Sequence, residues 1–229
     1  GFVMVWNEEQ LVGAGVHVQQ FDSAGNMVGT GGTVATVASE TVTPQLIKMD
    51  DGGYFVAWQT MDGSLVTGLD AQRFAADGSK VGGVVHLIED LEGLTIGFLT
   101  AINSVTACSL NGNGYALTWN TTGDAGNDIY YQMFNSDGTQ LSDVIHVTDD
   151  VGDQYDPVIV QLDDLTTVVA WADTPGPDGL TIHVQRFYLD GTPLGAVTDV
   201  PIVNGLIVFG LSIAADDNGG FALSVSTIG

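Results

Sequence analysis

The side chains able to do chemistry in this chain are mostly carboxylates: 28 Asp and Glu, against four His and one Cys. The densest run is Asp149-Asp150-Val151-Gly152-Asp153-Gln154-Tyr155-Asp156, with four Asp in eight residues. Calcium takes six to eight oxygens from carboxylates and loop carbonyls. Asp149, Asp150, Asp153 and Asp156 therefore form a candidate calcium loop, and a solvated acidic loop would use the same residues without an ion. Calcium is the one cofactor the sequence suggests. Acidic pairs at Asp50-Asp51, Asp163-Asp164 and Asp216-Asp217 are already explained by turn chemistry.

Other constellations are thinner. No Gly-x-Ser-x-Gly elbow, His-Glu-x-x-His helix, phosphate loop or dinucleotide fingerprint occurs. Carboxylate pairs for glycoside hydrolysis can be chosen anywhere among 28 acids, so spacing singles out none. The expectation is therefore a protein without catalytic residues. The lone Cys108 sits in an apolar run and reads as a small core residue. One cysteine also excludes a disulfide framework and a cysteine-based zinc site. Asn120-Thr121-Thr122 matches a glycosylation sequon.

The charge excludes partners. Four Lys and Arg leave a net charge of −24, which repels nucleic acid and anionic lipid. Residues 93–123 carry no charge, but only the stretch from Leu94 to Ile102 is densely apolar, too short to cross a bilayer. Leu94, Ile96, Phe98 and Leu99 lie there and offer a partner-docking surface, or a loop folded over one end of the molecule.

A repeat positions all of these groups. Phe2-Val3-Met4-Val5-Trp6 returns as Phe55-Val56-Ala57-Trp58, Tyr115-Ala116-Leu117-Thr118-Trp119 and Val168-Val169-Ala170-Trp171, and fades to Phe221-Ala222-Leu223-Ser224-Val225. A second block follows each Trp: His17-Val18-Gln19-Gln20-Phe21, Asp70-Ala71-Gln72-Arg73-Phe74, Tyr130-Tyr131-Gln132-Met133-Phe134 and His183-Val184-Gln185-Arg186-Phe187. Asp-Gly or Ala-Gly turns come next, then short β-branched segments at 33–37, 84–88, 144–148 and 197–202. A further strand precedes each later Trp strand. The unit is four antiparallel strands, named a, b (Trp), c (Gln) and d.

Alignment of the units gives positions shared by candidate ligands. His17, Asp70, Tyr130 and His183 occupy one c-strand position, and His86 and His146 one d-strand position. The first set is a ring of ligands only if that position faces a common axis. Gln19, Gln72, Gln132 and Gln185 share another position, and an amide used identically in every unit reads as a structural group bonding nearby backbone.

Strand b is apolar on both faces, so each sheet needs cover on both sides. Stacking four-stranded sheets around an axis supplies it. The expected fold is all-β, a β-propeller of about four or five four-stranded antiparallel blades, with the terminal blade incomplete or closed by strand exchange. It forms a single repeat domain over 1–229, with repeats near 1–42, 43–103, 104–155, 156–209 and a partial one at 210–229. Both ends look like strand interiors, so a piece of a longer chain is expected, with terminal edge strands open to self-association.

The pattern Gly52-Gly53-Tyr54-Phe55-Val56-Ala57-Trp58, then Gln72-Arg73-Phe74 or Gln185-Arg186-Phe187, then Asp77-Gly78 or Asp190-Gly191 resembles the tandem repeats of large secreted bacterial proteins of the RTX and adhesin type. The calcium nonapeptide Gly-Gly-x-Gly-x-Asp of that group is absent here. The resemblance implies a non-enzymatic extracellular or cell-surface module, with a binding, adhesive or structural role and with protein subunits or surface glycans as partners. A lectin-like glycan binder is the first alternative and a propeller hydrolase or lyase the second.

Overall fold

Strands at the repeat's spacing follow from β-branched and aromatic runs cut by Asp-Gly turns. The computed structural model describes residues 1–9, 14–37, 44–62, 65–88, 102–112, 114–123, 126–148, 152–173, 180–202 and 207–228. Among these residues every regular element is a strand, and the strands form five antiparallel sheets. The first sheet holds β1 (Phe2–Glu9), β2 (Ala14–Phe21) and β3 (Met27–Val37). The second holds β4 (Gln45–Lys48), β5 (Tyr54–Asp62), β6 (Leu65–Phe74) and β7 (Lys80–Ile88). The third holds β8 (Ile102–Leu110), β9 (Gly114–Gly123), β10 (Gly126–Phe134) and β11 (Ile145–His146). The fourth holds β12 (Gln154–Gln161), β13 (Thr167–Asp173), β14 (Thr181–Phe187) and β15 (Pro193–Pro201). The fifth pairs β16 (Ile207–Ala215) with β17 (Phe221–Ile228). These are blades of the β-propeller class, as the repeat predicts.

The chain divides into two compact units, Gly1–Thr95 with Ser136–Thr139, and Ile96–Asn135 with Gln140–Gly229. Inside each unit the sheets stack by one rule. In the first unit Tyr54, Val56, Trp58 and Phe74 of the second sheet pack on Val16, Val18 and Val34 of the first. In the second unit Trp171, Val169 and Phe187 of the fourth sheet pack on Ala116, Ile129, Tyr131 and Met133 of the third. Leu211, Ile213, Phe221 and Leu223 of the fifth sheet pack on Val158, Val168, Ala170 and Val184 of the fourth. So within each unit a bulky face of the later sheet meets the opposite face of the sheet before it. Trp58, Trp119 and Trp171 are buried, as two-sided apolar strands require, whereas Trp6 is 40 % exposed.

In the first, second and fourth sheets the d strand begins earlier than the β-branched residues suggest. β7 starts at Lys80 and β15 at Pro193, across glycine-bearing stretches that carry no strand signal in the sequence. Gly29, Gly82 and Gly195 sit there with φ of 71°, 68° and 78°. Each lies at a register shift opposite the repeat glutamine. The amide of Gln72 donates to the carbonyls of Arg73 (3.0 Å) and Val81 (3.2 Å). Gln19 donates likewise to Gln20 and Val28, and Gln185 to Arg186 and Leu194. The recurrent glutamine is thus a clamp that satisfies carbonyls a β-bulge would leave unpaired.

Candidate functional site

Cross-strand register sets three residues side by side in each complete sheet. Trp58 pairs with Asp70, and Asp70 with His86. Trp119, Tyr130 and His146 line up in the same way, as do Trp171, His183 and Asp199. The rings stack: Trp171 on His183 at 5.4 Å and Tyr130 on His146 at 4.5 Å between centroids. Each imidazole then meets a carboxylate of its own sheet. His86 Nδ1 lies 2.7 Å from Asp70, His146 Nε2 3.6 Å from Asp128, and His17 Nε2 3.4 Å from Glu8. His183 is flanked on both sides, with Asp199 at 2.9 Å from Nδ1 and Asp173 at 3.6 Å from Nε2. The polar atoms of His17, Asp70 and His183 are therefore engaged within their own sheets. Among the described residues no group of three or more His, Cys, Asp or Glu is arranged to hold a metal ion.

Among the described residues the fourth sheet carries the one carboxylate residue with a positive φ. On β12, Tyr155 pairs with Ala172 and Val158 with Ala170, so Asp156 and Pro157 together oppose Trp171 alone. This is a β-bulge, which re-aims a side chain. Asp156 has φ of 52°. Asp tolerates that region better than most residues, but a following proline biases its predecessor to extended backbone. A conformation so disfavoured persists only where the surroundings hold it.

They hold it through β8. Ser104 Oγ donates to Asp156 Oδ1 at 3.2 Å, and Thr106 Oγ1 donates to the Pro157 carbonyl at 2.9 Å. Ser104 is fixed in turn by its N–H, which donates to Asn120 Oδ1 at 2.9 Å. β8 has its own register shift at that point, between Ile102 and Val105. Asn120, the sequon residue, is buried, so its amide is a structural acceptor and not an accessible glycan acceptor.

Asp156 is not alone. Asp173 ends β13 opposite Gln154. The phenol of Tyr155 is pushed upward by burial and then by the charges of Asp156 and Asp173, which places both carboxylates within its electrostatic reach. Asp153 accepts the Asn127 N–H at 3.0 Å. Asp156, Asp173, His183 and Asp199 thus give the fourth sheet a carboxylate on the first strand, another on the second, and an imidazole–carboxylate pair beyond. Such a set can donate and accept protons at two oxygen centres.

The candidate residues read from sequence divide accordingly. Asp153 and Asp156 are described, and each carboxylate accepts a hydrogen bond from the third sheet. Asp149 and Asp150 lie outside the described residues, as do Leu94, Ile96, Phe98 and Leu99. Asp173 was missed, because as the last residue of a Trp strand it carries no signal beyond its type. Cys108 is in β8, and burial pushes its thiol up to about 12.

No family model and no curated protein matches the chain. Solved structures do. An endo-arabinase from Bacteroides thetaiotaomicron is similar at 13% identity and TM-score 0.53, over 97% of this chain and 84% of that one. An α-L-arabinanase from Penicillium chrysogenum, solved with arabinobiose, is similar at 12% identity and TM-score 0.56, over 81% and 57%. An α-L-arabinofuranosidase from Lactobacillus brevis is similar at 9% identity and TM-score 0.51, over 98% and 79%. At such identity the likeness establishes the fold. It also corrects the sequence-based expectation of a non-enzymatic adhesive or structural module, because these three solved structures are glycan-cleaving enzymes. The repeat encodes the scaffold, and the scaffold serves binding and catalysis alike, so the repeat does not tell them apart.

Proposed function

We propose that this chain cleaves glycosidic bonds, with Asp156 and Asp173 as the working carboxylates. The observation that carries the reading is the backbone of Asp156. A carboxylate held at φ 52° in a bulge before proline, and tied by Ser104 of the neighbouring sheet, is the kind of local strain that clusters at functional sites. The likeness to arabinan-degrading propellers supports the same reading.

The chemistry needs two carboxyl groups. One protonates the glycosidic oxygen as its bond to the anomeric carbon breaks. The other takes a proton from the water that forms the new carbon–oxygen bond. Asp156 lies on β12, the edge strand that opens its sheet. Asp173 lies on the adjacent strand, with the His183 imidazole beside it to hold its orientation. A net charge of −24 steers acidic polysaccharides away, so the substrate class is neutral glycans, with arabinose polymers first.

The test is reducing-sugar release from arabinan, galactan and xylan, with polygalacturonan as the acidic control. Release from a neutral polymer, lost in Asp156→Asn, supports the reading. No release from any of them overturns it.

A further inference from the structure

The turn between the c and d strands of a later sheet closes on the d strand of the sheet before it. A Cβ at Gly138 would run into Val85 of β7, and one at Gly191 into Ile145 of β11. Val85 and Ile145 hold the same repeat position, paired with Ala71 and Tyr131 of their c strands. In the first sheet the residue at that position, paired with Val18, is Gly32. Val18 packs on the second sheet, so a side chain at Gly32 would point the same way. A Cβ there would meet nothing within 4 Å.

The consequence is a cavity of about 350 Å³ between the first and second sheets, both inside one compact unit. That volume suits one small ligand, at the low end of the roughly 300–1,000 Å³ of ligand sites. Val18, Val28 and Phe74 supply apolar wall, and Tyr54 stacks on Phe74 at 5.0 Å between centroids. Gln20 spans the two sheets, its Nε2 donating to the Ala76 carbonyl at 2.9 Å. Its Oε1 is buried and accepts no hydrogen bond from the described residues, a state that calls for a donor. A Cβ at Gly78 would lie 2.9 Å from that oxygen and 3.8 Å from the Tyr54 phenol oxygen, so both oxygens flank one point of the turn. The charged lining residues are Asp77 and Lys80, of opposite sign, and Asp77 already accepts the Ser79 N–H and hydroxyl.

We infer that this cavity binds a single neutral sugar residue, with one ring hydroxyl donating to Gln20 Oε1 and another bonded to the Tyr54 phenol. The chemistry of the walls selects that class. A purely apolar ligand would leave the buried amide oxygen unpaired. A charged ligand would find no net charge in the walls and an acidic protein around them. A sugar ring offers hydroxyls to the two oxygens and C–H surface to Val28 and Phe74. The site goes beyond the proposed cleavage reaction: Asp156 and Asp173 belong to the other compact unit, and nothing in the cavity is assigned a step of that chemistry.

The experiment is an NMR titration read at the backbone amides of Gly78 and Ser79. The probes are L-arabinose, D-galactose, D-xylose and D-glucose, with D-galacturonate as the anionic control. Saturable shifts at those amides are expected with at least one neutral sugar, in the millimolar range and with little dependence on salt. Gly32 has no positive φ, so Gly32→Val restores the side chain its repeat position carries elsewhere. It is expected to abolish the shifts while Tm holds or rises. Tyr54→Phe keeps the ring and loses the hydroxyl, and is expected to weaken binding several-fold. No saturable shift with any of the four sugars overturns the inference. So does binding that survives Gly32→Val, or galacturonate binding as well as galactose. Should Gly32→Val fail to fold, Tyr54→Phe decides: an affinity equal to the wild type overturns the inference. Asp156→Asn is expected to leave the titration unchanged, so the result stands apart from any glycosidase activity.

Discussion

Asp156 separates what composition reveals from what packing reveals. The sequence marks it only as one of four acids suited to a calcium loop. Its conformation depends on Ser104 and Thr106, some fifty residues away in sequence and in another sheet, so no local pattern discloses it. The repeat glutamine is the opposite case. Its role was legible because one amide recurs at one position in every unit, and the bulge it clamps is local. Tyr130 and Tyr131 yield a prediction at this scale. Burial is the main cause that pushes both phenols up to about 12. A raised phenol favours the neutral form in the folded state. The stability it confers is complete below the unfolded value near 10 and lost as pH rises through 12. Spectroscopic titration should show these two ionising together with unfolding, and Tyr131→Phe should move the alkaline transition to higher pH. Cys108, for the same reason, should resist thiol reagents at neutral pH until denaturant is added; rapid labelling of the native protein would contradict its burial.

At the level of strands, the turns were the most readable part. Asp-Gly and its relatives predict hairpins, and Asp77, Asp137 and Asp190 each accept the backbone N–H and hydroxyl of the residue two positions on. Those bonds hold all three carboxyls below the usual range. A depressed carboxyl stabilises above its unfolded value and loses that contribution as pH falls through its folded one. Asp137→Ala should therefore lower Tm at neutral pH, with a gap that narrows as pH falls below about 4. A gap independent of pH would mean that the turn is held by its backbone alone. The glycines are equally demanding. Gly191 has φ of 81°, and a Cβ there would run into the Ile145 side chain. Gly191→Ala should cost more than about 1 kcal/mol in denaturant unfolding. The starts of the d strands were not legible, because glycines that form a bulge look the same in sequence as glycines that end a strand.

For the molecule as a whole, the stacking rule gives a matched pair of substitutions. Trp171 is buried between the third and fourth sheets, and Trp171→Ala should cost about 3–5 kcal/mol. Trp6 occupies the same repeat position but is 40 % exposed and, among the described residues, stacks only on His17 of its own sheet, so Trp6→Ala should cost clearly less than Trp171→Ala. Equal losses at both sites would refute the stacking rule. The propeller class was legible from the period and from two-sided apolar strands. The function was not, because a blade repeat specifies how sheets pack and says nothing of which carboxylate is held under strain. The decisive measurement is the rate of arabinan cleavage by the wild type and Asp156→Asn, with Tm recorded for both. Asn tolerates the same backbone region and still accepts the Ser104 hydroxyl, so it removes the charge and leaves the fold. A rate loss of about 10²- to 10⁴-fold at unchanged Tm is expected. A variant that cleaves arabinan as fast as the wild type would show that the strained carboxylate has no part in catalysis.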